Sequence, residues 1–345
     1  MNRVLRVLVV DDSAYIRKVM TQMLSRSPFI EVVGTARDGR DALEQVEKLK
    51  PDVVTLDLIM PNLDGVGFLR EQMKRAPLPV VVCSIASESG ELALKALDEG
   101  AVDFVQKPTA LATEKIFEIS DEIIEKVKAA ADVPMARLAP MPTLAAPPLA
   151  APSRKGTFDI VVIGISTGGP QALKMLIPQF PADFPVPIAI VLHMPVGYTE
   201  LYAQKLDEIS RLHVVEAKEG ETVEPGKVFI APAGRHLTFV RTSDNRIVTH
   251  LDARPFDTLH RPSVDVLFQS AAEIFGSRVL GVVMTGMGSD GKQGAAWIKS
   301  QGGTIFTEDE STCVVYGMPR SVVEAGLSDR VISLDRMAQA IMEAV

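Results

Sequence analysis

The sequence predicts an α/β protein of two domains, each built on a mostly parallel sheet. In both halves, short apolar runs rich in β-branched residues alternate with segments whose apolar residues recur at helical spacing. The chain of 345 residues exceeds what a single hydrophobic core usually supports. A stretch rich in alanine and proline lies between the halves, so we predict domains at 1–128 and 156–345 joined by a linker at 129–155.

The composition is that of an ordinary soluble globular protein, with 47% hydrophobic and 23% charged residues. The formal charge of −8 and the lack of a basic run argue against a nucleic-acid-binding surface. The apolar run Leu5–Val10 ends at two aspartates and is too short to span a membrane. Cys83 and Cys313 lie far apart and without metal-ligand spacing. We therefore expect a cytoplasmic protein with no membrane insertion and no nucleic-acid partner.

The N-terminal domain is predicted to be a doubly wound sheet with five strands and five helices. Ser13 is a suitable N-cap for the first helix, because apolar residues follow it at helical spacing. An amphipathic helix from about Thr113 to Lys128 closes the unit. The predicted strands are short, mostly apolar runs at 7–10, 31–35, 53–56, 80–83 and 102–105.

Five polar residues follow predicted strands of this domain, namely Asp11, Asp12, Asp57, Ser84 and Lys107. In a doubly wound sheet the carboxyl ends of the strands meet in one crevice, where ligands bind. Three carboxylates there would repel one another unless a cation lies among them, and oxygen ligands suit Mg²⁺. The lysine and the serine hydroxyl could then hold an anion that is delivered onto one carboxylate. Each residue alone could be a solvated strand-end residue, but the five together indicate a site.

With these residues in place, positions 1–128 resemble the receiver domains of two-component response regulators. The segment P-D-V-V-T-L-D-L-I-M-P matches the phospho-acceptor motif, and the resemblance makes Asp57 the acceptor. Asp11 and Asp12 match the acidic pair that holds Mg²⁺ together with Asp57. A histidine kinase is implied as the phosphodonor. The resemblance also implies three switch residues, which are Ser84, Phe104 and Lys107.

Residues 129–155 form the predicted linker. Nine alanines and six prolines among these 27 residues rule out a continuous helix and favour an extended, flexible tether. The apolar residues Met135, Leu138 and Leu144 leave open that part of the segment docks against one domain.

The C-terminal domain is organised around Ile160–Gly169, which reads I-V-V-I-G-I-S-T-G-G. A buried strand, a glycine-rich turn and Pro170 predict a strand–turn–helix with Ser166 at the carboxyl end of the strand. A serine nucleophile and an oxyanion site can both be built there. A glycine-rich turn that holds a phosphate is the alternative that this stretch alone leaves open.

Two further strand ends in this domain carry His193 and Asp290. Acyl transfer needs a hydroxyl, a base for its proton and a carboxylate that orients the base, and all three can face one crevice. Position favours His193 as the base over His236 and His260, which lie near turns. The glycine-rich setting of Asp290 favours it over three other aspartates, which are Asp252, Asp257 and Asp265.

Between these strand ends, the sequence predicts a β-rich excursion that is partly antiparallel. Two of its short strands carry His213 and His250, which we expect to be structural. Thr199 is a candidate N-cap for the helix that precedes the excursion. The predicted strands are 213–216, 227–230, 237–241 and 246–251.

Residues 156–345 resemble the catalytic domain of the chemotaxis protein-glutamate methylesterases, the CheB family. G-I-S-T-G-G-P carries the family's serine, H-M-P-V-G-Y-T its histidine and T-G-M-G-S-D-G its aspartate. The resemblance implies a triad of Ser166, His193 and Asp290. It also implies that the amides of Thr167 and Met287 stabilise the oxyanion. The implied reactions are hydrolysis of glutamate γ-methyl esters and deamidation of glutamines on chemoreceptor cytoplasmic helices, with no cofactor for the hydrolysis.

Together the two resemblances imply a hydrolase of chemotaxis adaptation that the receiver controls. We expect the unphosphorylated receiver to pack over or beside the Ser166 crevice, and phosphorylation of Asp57 with inward rotation of Phe104 to release it. A receiver-controlled transcription factor is one alternative, but it would need a basic helix-turn-helix, which the C-terminal half does not show. A hydrolase of a different ester is the other.

Overall fold

The computed structural model describes residues 3–84, 86–107, 115–134 and 157–345. The chain divides into two compact units, Met1–Met141 and Pro142–Val345. Most of the predicted linker, 135–155, and the predicted first residue of the closing helix, Thr113, lie outside the described residues.

The N-terminal unit contains one five-stranded parallel sheet in the order β2-β1-β3-β4-β5, with helices between the strands. This confirms the predicted doubly wound fold. The strands are β1 Leu5–Val10, β2 Ile30–Ala36, β3 Val53–Leu56, β4 Val80–Ser84 and β5 Asp103–Gln106. The helices are α1 Ala14–Leu24, α2 Gly39–Leu49, α3 Gly65–Arg75, α4 Ala86–Asp98 and α5 Lys115–Ala131.

Side-chain caps set the starts of the first three helices. The Ser13 hydroxyl accepts a hydrogen bond from the Ile16 amide at 3.4 Å, as an N-cap should. Asp38 and Asp64 cap α2 and α3 in the same way. Helix α5 runs to Ala131, three residues beyond the predicted domain end at 128, because its last turns still bury Val127 and Ala130.

The C-terminal unit contains a seven-stranded parallel sheet in the order β14-β13-β12-β6-β7-β9-β8 and a separate hairpin, β10-β11. Its strands are β6 Ile160–Ile165, β7 Ile188–Leu192, β8 His213–Glu216, β9 Lys227–Ile230, β10 His236–Arg241, β11 Ile247–Asp252, β12 Val279–Val283, β13 Thr304–Glu308 and β14 Arg330–Ile332. Its helices are α6 Gly169–Leu176, α7 Thr199–Ile209, α8 Val264–Phe275, α9 Lys292–Ser300, α10 Met318–Glu324 and α11 Leu334–Ala344.

The predicted excursion is antiparallel only in the β10-β11 hairpin, since β8 and β9 join the main sheet as parallel strands. From the central strand β6 the chain builds one side of the sheet through β7, and it later returns to build the other side from β12. Ligand sites of open α/β sheets form where the strand order reverses in this way, so the crevice lies beyond the carboxyl ends of β6, β7 and β12.

One local prediction is wrong. Tyr198, not Thr199, is the N-cap of α7, and it makes no side-chain capping bond. The Thr199 hydroxyl instead donates to Glu216 Oε1 at 2.5 Å and accepts from the Ala233 amide, so a tertiary contact took the oxygen that a cap would use.

Within the residues that the structure describes, no helix combines the length and the apolar character that crossing a bilayer requires.

Candidate active site and acidic site

Ser166 sits in a tight turn between β6 and α6, and the glycines around it are there for contact and for backbone conformation. Gly164 lies so close to Val264 that a Cβ would collide with it. Gly168 has a φ of +80°, and a Cβ there would lie 2.6 Å from Val314. The turn therefore packs tightly and presents the partly exposed Ser166 at the end of the strand.

Parallel pairing brings His193 beside this serine. Strands β6 and β7 are in register with Ile165 opposite Leu192, and Ser166 and His193 are the next residue on each strand. The His193 amide donates to the Ile165 carbonyl at 3.1 Å, which extends the ladder by one bond. Residues 27 positions apart thus become neighbours at one edge of the sheet.

The His193 ring is oriented by Asp290. His193 Nε2 lies 2.8 Å from Asp290 Oδ2, and both side chains are largely buried. Across the residues that the structure describes, the buried Nδ1 of His193 has no hydrogen-bond partner. With Nε2–H donating to the carboxylate, Nδ1 carries the lone pair and is the ring nitrogen that can accept a proton.

Asp290 is itself held by the N-terminus of α8. Its carboxylate accepts hydrogen bonds from the Ser263 hydroxyl at 2.9 Å and from the amides of Val264 at 2.8 Å and Asp265 at 3.0 Å. Burial alone would raise the pKa of Asp290, but the bonds from His193 and these amides outweigh burial and lower the pKa below its ordinary value. Asp290 is therefore an anion with a defined orientation.

Asp265 makes the reciprocal contact from α8 to α9. Its carboxylate accepts from the amides of Gly291 at 2.9 Å and Gly294 at 2.7 Å, at the start of α9. Burial raises the pKa of Asp265 to about 6 despite these bonds, and the nearby negative charge of Asp290 adds to the rise. Asp265 does not contact the His193 ring through any hydrogen bond between the residues described.

The amides of Thr167 and Met287 lie in two loops that meet at the serine. Thr167 directly follows Ser166 and is buried, and Gly286 precedes Met287. A Cβ on Gly286 would lie 2.8 Å from the Ser166 Cβ, so the second loop passes directly against the nucleophile. This proximity allows both amides to face an oxygen at the carbon that Ser166 attacks.

The other histidines occupy different positions. His236 is buried, accepts from the Ser263 amide through Nδ1 at 3.1 Å, and lies 3.1 Å from the Pro255 carbonyl through Nε2. Burial lowers the pKa of His236, so it is a neutral residue that braces the segment before α8. His260 stacks on the His193 ring with centroids 4.1 Å apart.

The remaining candidates form surface pairs. Asp252 binds Arg254 at 2.7 Å and Asp257 is exposed. His213 and His250 pair with Asp207 at 3.1 Å and with Glu219 at 2.9 Å, on the strands where the sequence places them.

In the N-terminal unit, the predicted acidic residues converge around Lys107. The Lys107 ammonium lies 2.7 Å from Asp11 Oδ2 and 2.7 Å from Asp57 Oδ2. One carboxylate oxygen each of Asp11, Asp12 and Asp57 lies within 4.8 Å of the other two. Three hard oxygen donors at this spacing fit a divalent cation such as Mg²⁺.

The two charges at this site respond differently to burial. Burial raises the pKa of Asp57, and the neighbouring Asp11 carboxylate adds to the rise, while Lys107 opposes it. Burial would lower the pKa of Lys107, but its bonds to Asp11 and Asp57 outweigh burial and raise it. Lys107 therefore stays cationic between two carboxylates.

Ser84 and Phe104 are both buried. Ser84 ends β4, and its carbonyl accepts from the Lys107 amide at 2.8 Å, which places it beside the acidic site. The Phe104 ring already lies inside the unit, with the Lys126 ammonium 6.0 Å from its centroid. Inward rotation of Phe104 is therefore not a change that can start from this structure.

Sequence reasoning missed the residues that hold the triad rather than belong to it. Ser263, Asp265 and His236 all act on the segment that fixes Asp290. The run R-P-S-V-D at 261–265 contained two of them, but nothing in its pattern predicts that a helix N-terminus will meet a distant aspartate.

Comparison with known proteins agrees with this geometry. Residues 161–341 match the family model for the CheB methylesterase, and residues 7–118 match that for the response regulator receiver domain. A protein from Myxococcus xanthus (strain DK1622), named protein-glutamate methylesterase/protein-glutamine glutaminase 5, is 52% identical over 335 residues, covering 96% of both chains. A protein from Thermotoga maritima, named protein-glutamate methylesterase/protein-glutamine glutaminase, is 42% identical and covers 100% of this chain and 99% of its own.

The solved structures include a similar catalytic domain. The crystal structure of the Thermotoga maritima CheB methylesterase catalytic domain is 45% identical, with a TM-score of 0.53. It covers 55% of this chain and 100% of its own.

Proposed function

This chain belongs to the CheB methylesterase family and carries a response regulator receiver domain, and from that premise we propose a phosphorylation-activated serine hydrolase. It demethylates glutamate γ-methyl esters and deamidates glutamines on the cytoplasmic helices of chemoreceptors, which gives adaptation in chemotaxis. The observation that carries the proposal is the His193 ring beside Ser166, with Nε2 on Asp290 at 2.8 Å and Nδ1 left as the base.

The first half of the reaction forms an ester with the enzyme. Ser166 Oγ attacks the γ-carbonyl carbon while His193 Nδ1 takes its proton, and the anion on the carbonyl oxygen faces the amides of Thr167 and Met287. The protonated His193 then gives its proton to the departing oxygen or nitrogen. Methanol or ammonia leaves, and the glutamyl group stays on Ser166.

The second half releases the product. A water molecule gives a proton to Nδ1 as its oxygen attacks the glutamyl ester, and collapse of the intermediate returns the proton to Ser166 Oγ. The product is a glutamate side chain in both reactions. Throughout, Asp290 keeps Nε2 protonated and balances the charge of the imidazolium.

We assign control of this reaction to Asp57. Its carboxylate is the nucleophile that receives a phosphoryl group from a histidine kinase, and Lys107 and Ser84 hold the product. Asp11, Asp12 and Asp57 would bind Mg²⁺, which neutralises charge on the transferred group when bound. We place the receiver at 1–128, the linker at 129–155 and the methylesterase at 156–345, with the protein in the cytoplasm.

Mass spectrometry of candidate receptors incubated with the purified protein tests this function. We expect methyl esters on receptor glutamates to disappear and selected glutamines to become glutamates, faster after treatment with a small phosphodonor. Ser166→Ala is the matched control and should leave both unchanged. Receptors that stay methylated while another ester is hydrolysed would instead support the hydrolase of a different substrate.

A further inference from the structure

Glu308 is a fully buried carboxylate that the reaction described above does not use. It ends β13, next to β12 in the sheet, where Val283 pairs with Thr307. The chain after Val283 leads through Thr285 into the loop that passes against Ser166. Register therefore places Glu308 behind the nucleophile turn, on the side away from the His193 ring.

Each oxygen of this carboxylate accepts one hydrogen bond. Glu308 Oε2 accepts from the Thr285 amide at 2.8 Å, and Oε1 accepts from the Thr312 hydroxyl at 3.0 Å. The Thr312 hydroxyl oxygen in turn accepts from the Leu334 amide at 3.0 Å, at the start of α11. Hydrogen bonds to an ionised acceptor in a dry interior are strong and directional, so Thr285 is held at a defined height.

Thr285 contacts the nucleophile turn on both sides of one peptide unit. Its carbonyl accepts from the Ser166 amide at 2.9 Å, and its hydroxyl donates to the Thr167 carbonyl at 2.9 Å. The same hydroxyl accepts from the Val315 amide at 3.0 Å. The two bonds to the turn fix the backbone of Ser166 and Thr167, and with it the direction of the nucleophile and of the amide proposed for the oxyanion.

We propose that Glu308 is a positioning residue for hydrolysis, acting through Thr285 on the Ser166–Thr167 turn. The inference rests on the proposed function, since it assigns a role in the reaction of that same serine. An apolar residue at 308 leaves the amide of Thr285 and the hydroxyl of Thr312 unpaired in the interior, which releases the turn. Glutamine at 308 can still accept from Thr285 and donate to the Thr312 oxygen, so it preserves the connection.

The test uses two pairs of variants in the full chain. Glu308→Leu and Thr285→Val remove the hydrogen bonds, while Glu308→Gln and Thr285→Ser keep them at similar volume. The readouts are the rate at which a fluorophosphonate probe labels Ser166, and kcat and KM on a methylated receptor peptide. We expect labelling and kcat to fall roughly 10- to 100-fold in the first two variants, with KM unchanged, as for a misplaced reacting group. The matched variants should stay close to the wild type.

Two results would overturn the positioning role. One is a folded Thr285→Val protein that labels at the wild-type rate, and this variant decides the question if Glu308→Leu fails to fold. The other is a Glu308→Gln protein as slow as Glu308→Leu, which would mean that charge rather than hydrogen bonding is what matters. Equal labelling of the wild type and Ser166→Ala would refute the proposed function, and the positioning role with it.

Discussion

Asp57 and Asp290 are both buried carboxylates at the carboxyl edge of a parallel sheet, yet their pKa values shift in opposite directions. Burial raises the pKa of Asp57, whereas at Asp290 the hydrogen bonds outweigh burial and lower it. The two regions have the same architecture, so the fold alone does not decide how a strand-end aspartate behaves.

The difference lies in who donates to each carboxylate. Asp290 receives several hydrogen bonds, from the His193 ring, the Ser263 hydroxyl and amides at the start of α8. Asp57 receives a long amide bond of 3.3 Å from Ile59 and shares the Lys107 ammonium with Asp11. A carboxylate whose lone pairs are occupied orients its neighbour, while one left beside a like charge keeps lone pairs for chemistry or for a cation.

The largest expected effect comes from the reacting residues beside Asp290. Ser166→Ala and His193→Ala should each lower kcat by roughly 10⁶-fold, because the two act as a unit. Purified protein and a methylated receptor peptide are sufficient for the assay. His213→Ala, at an exposed ion pair on the same domain, is the matched control. Greater damage from His236→Ala or His260→Ala than from His193→Ala would move the base.

A smaller loss should follow Asp290→Asn. The amide group would face donors on every side, so either the ring tautomer or the contact with α8 must change, and we expect a drop of roughly 10⁴-fold in kcat. Asp257→Asn, at an exposed position, serves as the control. Activity close to the wild type would show that Asp290 does not orient the base.

The contrasting prediction at the acidic site concerns phosphate uptake. Asp57 should incorporate phosphate from a small phosphodonor only when Mg²⁺ is present, because the cation offsets charge on the transferred group. Asp57→Asn should show only background labelling, and a chelator should reduce the wild type to the same level. Equal labelling of both proteins would place the acceptor elsewhere.

Coupling between the two sites should be more modest. A fragment of residues 156–345 should hydrolyse receptor esters about tenfold faster than the unphosphorylated full chain, which corresponds to about 1.4 kcal/mol of inhibition. The fragment should also ignore phosphodonor. A folded fragment slower than the unphosphorylated full chain would show that the receiver acts as a positive partner and that occlusion is wrong.

The smallest expected effect concerns stability at Asp265. Its pKa is raised from 3.8 to about 6 on folding, so the folded protein binds more protons than the unfolded chain in that window. This contribution favours folding at low pH and declines as pH rises from 3.8 to about 6. Asp265→Asn keeps an oxygen for the amides of Gly291 and Gly294 but removes the titration. We expect the difference in Tm between variant and wild type to change by a few degrees across this window, roughly, and to be flat above it.

Thermal unfolding monitored by circular dichroism at several pH values measures that difference. Asp257→Asn controls for loss of a surface charge. A constant difference in Tm across the whole window would mean that Asp265 does not titrate there.

The sequence alone determined the fold and the reacting residues. Apolar runs of a few residues can be buried only as strands of parallel sheets, and the residues that end them must meet at one edge. Asp11, Asp57 and Lys107 in one half, and Ser166, His193 and Asp290 in the other, were predictable for that reason. The strand-end rule needs no knowledge of how side chains pack.

Only the tertiary structure decided how these residues are held. Which ring nitrogen of His193 faces Asp290 depends on where α8 begins, and the support behind Ser166 depends on the register of β12 against β13. Glu308 reads as an ordinary polar residue at the end of a strand, and Thr199 reads as a cap. Hydrogen bonds between distant segments leave no periodicity in a sequence, because their geometry exists only once both segments are packed.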